Sequence, residues 1–260
     1  KIIRYANAMQ DTAQRNQQSL FDAATETKVT VPKLPESEPW DMLDKLHYEK
    51  DVIGFYISGH PLDLFRYELK NFCNISIQQL ADDSEWKKLS RKGPFTFAGI
   101  VTRVNHRIGK TGRRFGIFTL EDLTGSVELA LWNEKKYLEY EKFLKEKMFL
   151  FIKANTQLRY NSETQYEISI QDIRLLSDIG TELTKCITLI TSANAVDRRW
   201  IENIRAVVNE FPGKIPVRFA LRDMEMKNEI KAGSRKLHVT FNKQLFEKLE
   251  TFANLELRIN

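Results

Sequence analysis

From Trp86 through Leu120 the chain carries nine basic residues, Lys87, Lys88, Arg91, Lys92, Arg103, Arg107, Lys110, Arg113 and Arg114, and no aspartate or glutamate. The run concentrates positive potential in a chain whose 40 Lys and Arg against 35 Asp and Glu leave a net charge of only +5. Four of these cations crowd into residues 105–114, NHRIGKTGRR, punctuated by Gly109 and Gly112, with Phe115 directly after. A glycine-punctuated cationic loop can follow a phosphate backbone, and rings on an adjoining strand can stack bases. These residue types in this order point to single-stranded nucleic acid. Arg103, Arg107, Lys110, Arg113 and Arg114 are the candidate phosphate contacts. Phe115 and Ile117 are the candidate groove-facing residues, with Phe118 and Leu120 expected in the core by alternation. The plain alternatives are a solvated charge run and an inverted facing that buries Phe115.

Other constellations fail their tests. Gly109-Lys110-Thr111 imitates the end of a P-loop, but Val104 stands where the first glycine belongs and a strand is expected where a helix must follow. The acidic pairs Asp82-Asp83 and Glu121-Asp122 could hold magnesium, yet neither has a third carboxylate nearby, and Asp122 suits a turn. His47, His60, His106 and His238 show no ligand spacing, so no metal is expected. His60, beside a proline turn, lacks a nucleophile or carboxylate partner and reads as structural. No catalytic residue is assigned. Cys73 and Cys186 stand alone, which excludes a disulfide framework and suits a reducing, cytoplasmic setting. No apolar run approaches the roughly 20 residues of a membrane helix, so no membrane association is expected.

The elements that position these residues divide the chain. Residues 1–15 hold apolar groups at helical spacing and read as the last helix of a preceding region; with Lys1 in place of a methionine, the chain reads as a piece of something larger. Residues 16–39 open with Gln17-Gln18-Ser19-Leu20-Phe21, a short apolar hook. Three of the seven prolines and no apolar period follow, so a mobile linker is expected. Adjacent large side chains on such a tether can be offered to a partner's pocket, although tucking back onto a neighbouring domain is the commoner fate. Residues 40–93 form a helical connector broken at Ser58-Gly59-His60-Pro61, with Pro61 in the first turn of a second helix. Residues 94–178 change period to alternation. PFTFAGIVTRV, RRFGIFTLED and GSVELALW give three strands, NEKKYLEYEKFLKEK a helix, and MFLFIKANTQLRY and TQYEISIQDIRLL two more strands. Five strands with a helix between the third and fourth is the pattern of a small closed OB-fold β-barrel. Residues 179–260 alternate short strands with the helices VDRRWIENIRAVVNEF and NKQLFEKLETF, a small α+β domain. The fold class is therefore multidomain α+β.

The order of these parts resembles a known family. A Gln17-x-x-Leu20-Phe21 hook, a linker, Ile53-Gly54-Phe55-Tyr56-Ile57-Ser58-Gly59-His60-Pro61-Leu62, a barrel with GKTGRRFGIFTLEDLTGSVE and a terminal α+β domain look like the C-terminal third of the bacterial replicative DNA polymerase III alpha subunit. The resemblance implies that Gln17, Ser19, Leu20 and Phe21 dock on the beta sliding clamp. It further implies that the barrel handles single-stranded DNA, that the terminal domain meets the clamp-loader tau subunit through a surface including NKQLFEKLETF, and that residues 1–15 leave a helix-hairpin-helix region. The magnesium-binding palm carboxylates of that family are missing from these residues. No cofactor and no polymerisation are therefore expected of the segment alone, the Mg2+ belonging to the parent. The competing reading is a stand-alone OB module such as a tRNA anticodon-binding domain, against which the hook and residues 53–62 argue.

Overall fold

The computed structural model describes residues 4–7, 9–10, 38–159, 162–223 and 228–260. The chain divides after Gly54 into two compact units. In the first, residues 4–7 and 9–10 are helical. Helix α1 (Met42–Ile53) begins where Asp41 accepts a hydrogen bond from the Asp44 N–H and ends where the Gly54 N–H bonds the Lys50 carbonyl. It stops short of the Tyr56-Ile57 end that the apolar spacing suggests. It buries Leu46, while Trp40, Val52 and Ile53 stand exposed.

The second unit, Phe55–Asn260, holds everything else. A 3-10 turn at Pro61–Phe65 leads into α2 (Arg66–Phe72), followed by α3 (Ile77–Ala81) and α4 (Asp83–Lys92). His60 caps the turn. Its ring Nδ1 accepts from the Leu62 N–H at 3.1 Å while the His60 backbone N–H donates to the Asp63 carboxylate at 2.7 Å, which gives the histidine a structural task. Asp82 caps α4 by accepting from the Ser84 N–H at 2.9 Å, and the Ser84 side chain first, with that backbone bond, lowers the pKa of its carboxyl.

Strands β1 (Phe95–Ile108), β2 (Arg114–Glu121), β3 (Ser126–Leu131), β4 (Phe149–Leu158) and β5 (Tyr166–Leu175) form one antiparallel sheet in the order β3-β2-β1-β4-β5. Among the described residues no ladder joins β3 to β5, so the expected closed barrel is open along that seam. Aromatic and branched residues alternate inward along each strand and fill the interior: Phe97, Phe118, Leu120, Leu150 and Ile152 are all essentially without solvent contact. Each such burial stabilises by roughly 1.5–3 kcal/mol. Helix α5 (Glu134–Tyr140) lies between β3 and β4, capped by Asn133, with Tyr137 and Tyr140 on its buried face. The helical pattern runs on to Lys147, but the helix gives way to a 3-10 turn at Glu141–Phe143. The chain must turn there because Lys147 and Met148 exchange backbone hydrogen bonds with Val101 at 2.8 and 2.9 Å, which starts the β1–β4 ladder.

Helix α6 (Leu176–Leu183) follows β5 at once, over residues to which the sequence pattern assigns no helix. It then leads to the second sheet. Strand β6 (Ile187–Ser192), helix α7 (Arg198–Glu210), β7 (Pro212–Asp223), β8 (Asn228–Val239), helix α8 (Lys243–Glu250) and β9 (Glu256–Ile259) give the order β8-β7-β6-β9, with β6 and β7 parallel. A parallel pair needs a crossover, and α7 provides it, burying Ile204 and Val208. Helix α8 buries Leu245, Phe246 and Leu249 in the same core.

The two sheets meet through α2 and α6. Leu69 and Phe72 of α2 pack with Ala98, Phe151, Leu176 and Ile179 behind the barrel. From the same helix, Tyr67 enters the terminal core, its ring 4.7 Å from that of Phe246. The Tyr67 hydroxyl donates to Glu250 at 2.8 Å, and Arg66 pairs with Glu250 at 3.2 Å.

Candidate nucleic-acid interface

The cationic face is created by an irregularity in β1. Up to Val101 the odd-numbered residues Phe95, Phe97 and Val101 face the interior. The β1–β2 register then shifts between Val101, opposite Leu120, and Arg103, opposite Thr119. Thr102 is the extra residue of a bulge, and a bulge reverses the facing of everything beyond it. Val104 turns inward, while Arg103, Asn105 and Arg107 turn out.

Opposite residues on paired strands share a face, so the register builds three outward rows. Arg107 stands opposite Phe115, Asn105 opposite Ile117 and Arg103 opposite Thr119. On β3, Ile117 faces Ala130 and Thr119 faces Glu128. Trp132, just past β3 and 60% exposed, extends the first row, its ring centroid 5.0 Å from that of Phe115. Phe118 and Leu120 are buried, so the expected facing of β2 is the one observed.

The loop joining β1 to β2 closes on itself. The Gly109 N–H bonds the Arg113 carbonyl at 2.8 Å, the Gly112 N–H bonds the Gly109 carbonyl at 2.9 Å, and Gly112 takes a φ of 78° that a side chain would resist. Lys110 and Arg113 are exposed on this loop. Among the described residues none of Arg103, Arg107, Lys110 and Arg113 forms an ion pair. Glu128 ends the row of Arg103, two strands away, so the cations of the loop and the first row stand clear of it.

Arg114 departs from the expected group. Its partner in the ladder is Ile108, and it falls on the same side of β2 as Gly116 and Phe118, away from Phe115. Its backbone N–H donates to Glu134 at 3.0 Å, and its charge acts on the Tyr137 hydroxyl. That hydroxyl donates to Glu141 at 2.9 Å and lies 2.9 Å from the His106 ring, and its pKa is raised chiefly by burial.

The open seam between β3 and β5 is a cleft of about 610 Å³ that adjoins these rows. Ile117, Ala130 and Trp132 line one side, Arg159 and Tyr166 the other, and Trp86 of α4 also contributes. The Trp86 backbone carbonyl accepts from Thr156 at 2.9 Å and its indole N–H donates to the Leu80 carbonyl at 2.8 Å, which fixes the ring's position. Trp132, Trp86, Arg159 and Tyr166 were not singled out from sequence. Alternation along SVELALW, with Val127, Leu129 and Leu131 buried, carries the signal for Trp132. Trp86 and Tyr166 carry none, since their elements meet only in the folded chain.

Asp122, weighed as a metal ligand, organises the β2–β3 turn. One carboxylate oxygen accepts from the N–H groups of Thr124 and Gly125 at 2.7 and 3.1 Å, and the other accepts from the Ile77 N–H at 2.9 Å. Among the described residues no three His, Cys, Asp or Glu side chains gather as a metal site, and no helix is long and apolar enough to cross a membrane. Gln17, Ser19, Leu20 and Phe21 lie outside the described residues.

A five-stranded sheet of this order, with its interstrand helix and an outward aromatic and cationic face, defines an OB-fold module. Residues 95–176 match the family model described as OB-fold nucleic acid binding domain. Residues 187–260 match the model of the DNA polymerase III alpha subunit, C-terminal domain. The DNA polymerase III subunit alpha of Thermus aquaticus is 26% identical over 240 residues, covering 88% of this chain and 18% of that protein. That of Halalkalibacterium halodurans is 26% identical over 243 residues, 94% of this chain and 20% of that protein. That of Neisseria meningitidis serogroup A is 37% identical over 125 residues, 48% of this chain and 10% of that protein. The chain is thus similar, over most of its length, to the C-terminal region of the DNA polymerase III alpha subunit, and it spans about a fifth or less of these relatives. A stand-alone OB module accounts for residues 95–176 and leaves the terminal match unexplained.

Proposed function

We propose that this chain is the template-handling and partner-binding arm of a cytoplasmic DNA polymerase III alpha subunit. Single-stranded DNA lies across the outer face of β1, β2 and β3, with phosphates on Arg103, Arg107, Lys110 and Arg113 and bases against Phe115, Ile117 and Trp132. The observation that carries this reading is the row Arg107, Phe115, Trp132, where a cation outside any ion pair among the described residues stands opposite Phe115, whose ring centroid lies 5.0 Å from that of Trp132. In the same reading Gln17, Ser19, Leu20 and Phe21 form the peptide that docks on the beta sliding clamp, and the terminal domain contacts the clamp-loader tau subunit. Polymerisation and its Mg2+ belong to the parent protein's palm, and no cofactor is assigned to this segment.

Fluorescence anisotropy with labelled oligo-dT and a duplex of equal length tests the DNA-binding claim. The single strand is expected to bind more tightly. The dependence of log affinity on log salt is expected to flatten by about 0.7 for each phosphate contact removed when Arg107, Lys110 and Arg113 become alanine. Equal affinity for both forms, indifferent to those substitutions, overturns it.

A further inference from the structure

The terminal sheet holds a second cavity that the nucleic-acid reading does not use. It measures about 450 Å³ and lies between α7 and the β7–β8 pair, where Trp200, Ile201, Ile204, Phe219 and Leu221 make its walls mainly apolar. Ile201 is 52% exposed, so part of that apolar surface is open to solvent. Three cations, Arg205, Arg235 and Lys236, also line it, and among the described residues no carboxylate does. All three are exposed, and among the described residues none forms an ion pair. The indole N–H of Trp200 is shut off from solvent and has no acceptor, an expensive state for a buried donor.

Apolar walls, an uncompensated positive lining and an unanswered donor describe a site that lacks its other half. We propose that this cavity receives a short acidic segment of a partner protein, seating one bulky apolar side chain between Ile201 and Phe219 with flanking carboxylates on Arg205, Arg235 and Lys236. Charge complementarity selects the acidic partner: a basic segment would be repelled by all three cations. A polynucleotide would answer the cations but leave the apolar walls wet, whereas a peptide satisfies both. The site lies on a different sheet from the Arg107 row and does not rest on it.

Selection of displayed random peptides on the immobilised full chain tests the proposal. Recovered peptides are expected to place Leu, Ile, Phe or Trp beside Asp or Glu. Their affinity is expected to fall about tenfold or more in Ile201→Asp and in the double variant Arg235→Glu, Lys236→Glu, with oligo-dT binding unchanged. All three positions are at the surface, and an unchanged thermal midpoint establishes that both variants fold. Recovery of no peptide above background, recovery of peptides without acidic residues, or indifference to both variants overturns it. Loss of oligo-dT affinity in the Arg235, Lys236 variant also overturns it, making the face a nucleic-acid surface.

Discussion

Arg107 of β1 stands directly opposite Phe115 of β2, and the Phe115 ring lies 5.0 Å from that of Trp132, so a cation and two rings share one row across the sheet. A phosphate and its neighbouring base are separated by a few ångströms along a single strand, and this row offers a partner for each. The two kinds of contact are separable by experiment because only the ionic one responds to salt.

Phe115→Ala and Trp132→Ala are each expected to weaken oligo-dT binding by about 1–3 kcal/mol with the salt slope unchanged. Anisotropy titrations at several salt concentrations check this. A lower thermal midpoint with unchanged affinity would make the rings structural.

Arg113→Ala is expected to flatten the salt slope by about 0.7, and Arg114→Ala to leave it nearly unaltered. The two residues are adjacent in sequence, but Arg114 falls on the side of β2 that faces Tyr137. Equal effects in the same titration would place both on the backbone-contacting side.

Tyr67 makes stability depend on alkaline pH. Burial pushes its phenol up from 10.0 to about 12, and its hydrogen bond to Glu250 adds to the effect. The raised value favours the neutral phenol in the folded chain. Its contribution is therefore complete below pH about 10 and is lost as pH rises toward about 12. Thermal midpoints across that window should fall less steeply in Tyr67→Phe. Tyr140, also raised to about 12, supplies a background common to both proteins.

Gly180→Ala tests how the terminal domain is seated. A Cβ at Gly180 would lie 2.2 Å from the Phe241 ring, with ring atoms out to Cγ within 2.6 Å, so the whole ring must move. The gain in helix propensity, about 1 kcal/mol, is opposed by overpacking of roughly 1–3 kcal/mol. Denaturant melts should show a net loss of stability.

The double variant Leu20→Ala, Phe21→Ala is expected to abolish retention of the chain on immobilised sliding clamp while oligo-dT affinity stays constant. Retention equal to the unaltered chain would remove the clamp assignment for Gln17 to Phe21.

Much of this architecture is legible in the residues because period reports burial directly. Alternation in RRFGIFTLED places Phe118 and Leu120 inside, and both are buried. The apolar spacing of residues 198–210 and 243–250 marks two helices that are present. What escaped the sequence depends on partners distant along the chain. The bulge at Thr102 decides which way Arg103 and Arg107 point, yet strict alternation from Phe97 and Val101 would turn them inward. The early end of α5 follows from pairing to Val101, and the cleft beside Trp132 follows from β3 and β5 remaining unpaired. Helix α6 escaped because LSDIGTEL is brief and contains a glycine, which lowers helix propensity, yet Gly180 fits the face of Phe241.

Helix α2 serves two interiors at once, with Leu69 and Phe72 in one and Tyr67 in the other. Seven residues thereby act as a rivet between the barrel and the last sheet. A gene cut between residues 183 and 187 would strip the cover from Tyr67, and the truncated product would carry a raw aromatic scar. In the intact chain, tension applied to the final domain would reach the strands of the barrel without first taking up slack.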